Sequence, residues 1–324
     1  MHISSKRIDL LDENQLDKNQ SRTKHEILST LDPKIIIKRL KNPRYLASVD
    51  EIKYAFENSE NPQQEWDAFI HRKKDIIYEF INKEYLNDLS NYLVENYKEN
   101  KKIKILEVGA GNGKLTYHLR KLLEEKNPEK FKIKATDLGE WEIETLYEVE
   151  KVDLEEAIKK HKPNVIICSW MPFKQDFTEI FRKYKNVQEY ILIGDPDVCG
   201  DQWKTYGNRL FEFEEEDDDF ENEYGNEYEY EDEEGWYYDN FYGLEEDGDE
   251  EEEVIDNGKS QNQKIDTQAP RVELELEREE GDIPYEKDGF VCRELVSNNQ
   301  ICRSDYPGNY SHSKTFSFTR NKDS

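Results

Sequence analysis

An acid followed by three glycines at alternate positions, Glu107-Val-Gly109-Ala-Gly111-Asn-Gly113, has the clearest chemical content in this chain. Glycine lets a backbone turn sharply and come close to a ligand, because no side chain stands in the way. Three in alternation exceed what a turn alone needs. The apolar residues Ile103, Ile105, Leu106 and Val108 lead into the turn and predict a buried strand. Leu115, His118, Leu119 and Leu122 follow at helical spacing. Strand, acid, Gly-x-Gly-x-Gly and helix are what a nucleotide-type cofactor site needs. Two familiar glycine motifs do not fit. A dinucleotide turn wants G-x-G-x-x-G, and Lys114 stands where its third glycine belongs. A phosphate loop wants G-K-[ST], and Leu115 follows Lys114.

The elements around this run must position it. Phe131–Thr136 reads as a strand ending at Asp137, Trp141–Tyr147 as a brief helix, and Val149–Val152 as a strand ending at Asp153. Leu154–Lys160 reads as a helix, Asn164–Trp170 as a strong buried strand, Asp176–Tyr184 as a helix and Tyr190–Gly194 as another strand. Strands alternating with helices imply a parallel sheet covered on both faces, with ligands bound at the carboxyl ends of the strands. Glu107, Asp137, Asp153, Ser169 and Asp195 all fall at such ends. Phe290–Val296 and Lys314–Arg320 read as two closing strands.

Before the core, residues 1–26 are polar and aperiodic and read as a disordered tail, and residues 27–100 read as a helical subdomain. Asp32-Pro33 and Ser48-x-x-Glu51 are helix starts. From Trp66 to Tyr97 apolar residues, among them Ile77, Phe80 and Ile81, recur at helical spacing. The core then covers 101–210, an acidic insertion 211–280, and closing strands 281–324. Residues 212–256 hold 25 Asp and Glu, no Lys or Arg, and ten aromatics. Outside that window 49 acids face 46 bases, so the net charge of −28 belongs almost wholly to one segment. Self-repulsion and few aliphatics predict disorder there. It is either a solvated insertion without a partner or a segment that engages a basic protein through charge and cation–π contacts.

The pattern E-x-G-x-G-x-G resembles motif I of the class I S-adenosylmethionine-dependent methyltransferases. The resemblance covers about 103–195 and extends to the closing strands. It implies a Rossmann-like α/β sheet of seven strands, the last antiparallel, with S-adenosyl-L-methionine as cofactor. By the same resemblance Glu107 supports the methionine end of the cofactor, Asp137 takes the ribose hydroxyls, and Asp153 reaches the adenine amino group. Gly109, Gly111 and Gly113 form the turn. Each acid also has a plainer use. Glu107 suits a helix N-terminus, Asp137 a helix cap, and Asp153-Leu-Glu-Glu a helix start. Residues after the fourth strand contact the acceptor in this family. Here they are Ser169, Trp170, Met171, Pro172 and Phe173, with Asp195 a further candidate after the fifth strand. The segment lacks the Asn-Pro-Pro-Tyr-like tetrad of the adenine and glutamine methyltransferases. It also lacks the acid that arginine methyltransferases place between Ser and Trp. No catalytic acid or base is assigned.

The expected function is methyl transfer from S-adenosylmethionine, with a protein as the first guess for acceptor. The alternative is a binding or scaffold protein of the same fold that works through its acidic segment. A nicotinamide-dependent oxidoreductase is a third reading, opposed by Lys114. The acidic segment would repel phosphates, which disfavours nucleic acid. Cys168, Cys199, Cys292 and Cys302 form no C-x-x-C pair and read as reduced thiols. No metal site is expected, since Asp195, Asp197 and Asp201 match no known ligand spacing. The N-terminus lacks a signal-peptide core and no apolar run would span a bilayer, which predicts a cytoplasmic or nuclear protein.

Overall fold

The structure is a computed structural model that describes residues 28, 30–72, 77–139, 145, 148–208 and 283–321. The expected N-terminal tail, nearly all of the brief helix at Trp141–Tyr147, and the acidic segment 211–280 lie outside the described residues.

Seven strands form one sheet: β1 (Ile103–Val108), β2 (Phe131–Asp137), β3 (Val149–Lys151), β4 (Val165–Ser169), β5 (Glu189–Gly194), β6 (Phe290–Glu294) and β7 (Lys314–Arg320). Their order is β3-β2-β1-β4-β5-β7-β6. The first five run parallel, whereas β7 pairs antiparallel with both β5 and β6. This is the seven-stranded, Rossmann-like arrangement with an antiparallel last strand that the motif implies. From β1 the chain builds outward through β2 and β3, then returns to lay β4 on the other side. The strand order therefore reverses between β1 and β4, where a parallel sheet opens a crevice at its carboxyl edge. Register places Glu107 beside Ala135 on β2 and Ile167 on β4.

The strand residues alternate between two cores, as the period of two demands. Ile103, Ile105, Val165, Ile167, Ile191 and Ile193 pack against Leu86, Leu89 and Leu93 of α4 (Lys83–Asn96) and Leu115, Leu119 and Leu123 of α5 (Lys114–Lys126). Leu106, Val108, Ile166, Cys168, Tyr190 and Leu192 face the other way. They meet Ala157 and Ile158 of α6 (Leu154–His161) and Phe181 of α7 (Thr178–Lys183). Asp176, expected inside α7, instead accepts a hydrogen bond from the Thr178 amide at 2.9 Å and so precedes the helix. Further along, α8 (Gln202–Tyr206) follows β5 and α9 (Pro284–Lys287) precedes β6.

Among the described residues three short helices precede α4: α1 (Pro33–Leu40), α2 (Val49–Glu57) and α3 (Pro62–Ile70). Asp32 caps α1 through the Lys34 amide, and Ser48 and Glu51 close the expected capping box on α2. The long helical run expected from Trp66 to Tyr97 is corrected by the structure. The helix stops at Ile70, residues 77–82 are not helical, and α4 begins at Lys83. In the break, Phe80 donates its amide to the Ile301 carbonyl at 2.8 Å, and Arg303 donates to the Tyr78 carbonyl at 2.9 Å. Ile77 and Phe80 join the core of the first three helices, while Ile81 joins the sheet core. Two cores drawing on one segment produce the apolar spacing that a helix also shows. The buried Asn82 ends the break. Its Oδ1 accepts the Tyr85 amide at 2.9 Å, and its Nδ2 donates to the Asn299 carbonyl at 2.7 Å.

Candidate cofactor and acceptor site at the strand ends

Glu107 is 3% exposed and lies one residue before the end of β1. It accepts the Thr116 amide at 3.0 Å and a second bond from the Thr116 hydroxyl, tying the strand to the first turn of α5. Burial pushes its pKa up to about 7; the Thr116 bonds oppose that rise and the charge of Asp137 adds to it. The group is poised to change charge near neutrality.

The glycine turn passes in front of this acid. Gly109, Gly111 and Gly113 have φ values of 61°, 52° and 75°, the left-handed region that glycine enters without strain. No atom lies within 4 Å of where a Cβ would project at Gly109 or Gly111, so both positions face open space. Asp137 braces the turn from the end of β2. Its Oδ2 accepts the Gly111 amide at 2.9 Å and its Oδ1 the Gly139 amide at 2.8 Å. Each carboxylate oxygen can accept more than one hydrogen, so the brace leaves capacity for ligand hydroxyls. Leu138, the next residue, is 52% exposed and offers apolar surface beside the acid.

The other expected residues are distributed as follows. Asp153 is exposed and caps α6, its Oδ1 accepting the Glu155 and Glu156 amides at 2.8 and 3.3 Å. Ser169 closes β4, half-buried. Pro172 is exposed in the loop beyond it. Asp195 is buried just past β5 and holds its own loop by accepting the Asp197 amide at 3.0 Å. Trp170 adopts φ 60°, rare for a bulky side chain. Its amide donates to the Ile193 carbonyl at 2.8 Å and its indole Nε1 donates to Glu79 at 3.0 Å. The Tyr78 ring lies against the indole with centroids 5.5 Å apart.

Glu79 was not foreseen. It sits in the break before α4, 8% exposed, and its two oxygens share the Ser313 hydroxyl, each at 2.9 Å. Burial raises its pKa to about 8 against the opposing bonds from Trp170 and Ser313. An acid set among Ile77, Tyr78, Phe80 and Ile81 is the sequence signal that could have found it. Its partners lie 91 and 234 positions away, beyond reach of any spacing argument.

The arrangement fits a nucleoside-type cofactor carrying a positive charge. It provides an open backbone cradle, one acid with acceptor capacity for hydroxyls, one buried acid beside the turn, and exposed apolar surface. Among the described residues, no group of three His, Cys, Asp or Glu is placed to hold a metal ion. Among the described residues, too, no helix is long and apolar enough to cross a membrane.

No protein-family model and no curated protein sequence matches the chain. Solved structures do. The CurJ carbon methyltransferase is 14% identical at a TM-score of 0.25, the match covering 53% of this chain and 44% of that one. A protein described as a class I S-adenosylmethionine-dependent methyltransferase from Listeria monocytogenes is 12% identical at 0.28, covering 49% and 56%. Coclaurine N-methyltransferase, bound to N-methylheliamine and SAH, is 11% identical at 0.24, covering 56% and 54%. The chain spans 35% of the DszA carbon methyltransferase that it also matches.

Proposed function

We propose that this protein is an S-adenosylmethionine-dependent methyltransferase. One observation carries the reading: Glu107 and Asp137, at the ends of adjacent strands, flank a left-handed glycine turn that opens to empty space at the point where strand order reverses. Asp137 would accept the ribose hydroxyls while bracing Gly111. Glu107 would sit toward the methionine end, where an ionised carboxylate favours a cationic ligand. Gly109, Gly111 and Gly113 let the backbone approach. Asp153 would reach the adenine amino group with the oxygen not engaged in capping α6, and Leu138 would cover the base. The cofactor supplies a methyl group activated by a positive sulfur. Ser169, Trp170, Pro172 and Asp195, at the ends of β4 and β5, would face the acceptor.

A protein is the proposed acceptor, recruited by the acidic, aromatic segment 212–256. Isothermal calorimetry with S-adenosylmethionine tests the cofactor reading, and saturable binding that weakens in Asp137→Ala is the expected result. Absence of binding at millimolar ligand would favour a scaffold of the same fold. A labelled-methyl assay on whole-cell extract then identifies the acceptor.

A further inference from the structure

Segment 77–82 crosses from the N-terminal helices to the carboxyl edge of β4, and segment 299–303 from the closing hairpin pairs with it. An isolated bridge joins Glu79 to Cys302, flanked by the Phe80–Ile301 and Arg303–Tyr78 backbone bonds. The pair meets the sheet at Trp170. That residue is held in a left-handed backbone conformation, which is strained for a side chain of this kind and persists only where surroundings over-determine it. Here the surroundings can be named. Gly194 leaves room for the indole: a Cβ there would lie 3.5 Å from Trp170 Cδ1 and 2.9 Å from Cys199 Sγ. Tyr78 covers one side of the ring, with the Arg303 guanidinium 4.9 Å from the Tyr78 ring centre. Glu79 takes the indole N–H and is itself held by Ser313, whose hydroxyl accepts from Gln300 Nε2 at 3.0 Å.

Glu79 also borders a small, mostly apolar cavity among the N-terminal helices. The cavity, of about 10 Å³, is lined by Glu79, Tyr45 and Lys114, the first residue of α5, among others. That is about the space of one water.

We propose that Glu79 is a positioning residue: by accepting the indole N–H of Trp170 while anchored to Ser313, it fixes the aromatic wall that the acceptor meets at the end of β4. This rests on the reading that the β4 edge is the acceptor side. Other titratable or charged groups face Glu79 from each neighbouring element: Asp305 and Cys302 from the closing loop, Cys199 from beyond β5, Tyr85 from α4, and Lys114 across the cavity. Burial drives Cys199, Cys302 and Tyr85 further from ionisation, each above its ordinary range.

The test uses the full chain and intrinsic fluorescence. The protein has five tryptophans, so each spectrum is taken with and without Trp170→Phe, and the difference isolates Trp170. In Glu79→Ala the Trp170 emission should shift to the red. Loss of a single hydrogen bond should raise the share of quencher-accessible indole about fivefold. Glu79→Gln, which keeps an acceptor for the indole, should restore both. In the unaltered protein the Trp170 component should titrate with a midpoint of about pH 8, and that step should vanish in Glu79→Gln. A Trp170 signal that is the same in Glu79→Ala as in the unaltered protein would overturn the proposal. So would a titration that survives in Glu79→Gln, which serves alone if the alanine variant does not fold. Calorimetry with S-adenosylmethionine is run beside these measurements. Its failure in the unaltered protein would sink the methyltransferase reading while leaving the Glu79–Trp170 result to stand or fall by itself.

Discussion

On the proposed function, Glu107 should couple cofactor binding to pH. Its pKa of about 7 in the folded protein means that much of it is protonated at pH 6. A cationic ligand favours the ionised form, so binding lowers that pKa and releases a proton. The sign follows: affinity for S-adenosylmethionine should rise between pH 6 and 8, approaching tenfold per unit at most, and level off above. Calorimetry in two buffers of different ionisation heat would register the proton, and in Glu107→Gln the pH dependence should flatten. His118, on the helix α5 that follows the turn, does not confuse the range, because burial holds its pKa down at about 4. Asp137 and Asp153 separate by two readouts. Asp137→Ala removes the brace on Gly111 as well as the ribose acceptor, and should weaken cofactor binding by roughly 2 kcal/mol or more. Asp153→Ala should cost about 1 kcal/mol of stability through the lost α6 cap. Its effect on affinity should be several-fold, the worth of a single acceptor.

Among the elements, β5 and α4 are joined far from the site. Glu189 opens β5 fully buried, and accepts Tyr92 at 2.5 Å, Tyr97 at 2.6 Å and Ser317 at 2.5 Å. A buried carboxylate is tolerable only when its lone pairs are met, and here helix α4 and strand β7 meet them. Tyr97→Phe removes one donor and should lower stability by about 1–3 kcal/mol in urea unfolding. Cofactor affinity should hold, since Glu189 opens β5 two strands away from Glu107 and level with Ile105, below the carboxyl ends of the strands. The two strand-end acids are thus built for different work. Glu189 is saturated by side chains fixed on packed elements, whereas Glu107 is held by Thr116 beside a glycine turn that faces open space.

For the whole molecule, charge is divided by segment. The described α/β unit belongs to the part of the chain where acids and bases nearly balance, and the excess lies in 212–256. Deleting that segment should leave cofactor affinity within about twofold of the full chain while weakening association with a basic protein. The association should also fall steeply with salt, because contacts between exposed charges are screened over about 10 Å at 0.1 M. Pull-down of a labelled basic acceptor at two ionic strengths would check both. Equal recovery with and without the segment would remove it from acceptor recruitment.

How far the amino-acid order decided these features depends on range. The turn at Glu107–Gly113, the strand ending in Asp137, the Asp32 and Ser48 caps and the two closing strands were all legible. Each is set by contacts within a few residues or by a periodicity of two or 3.6. Asp153 was legible as a position and ambiguous in use, because a helix start and an adenine acceptor ask for the same residue type. The non-helical stretch at 77–82 was not legible. Two cores drew Ile77, Phe80 and Ile81 into a helix-like spacing, and nothing local told the two conformations apart. The pairing of 77–82 with 299–303, the left-handed Trp170, and the anchoring of its indole by Glu79 and Ser313 were decided only by tertiary structure. They join residues up to 234 positions apart, and hydrogen bonds over such separations leave no period in the sequence.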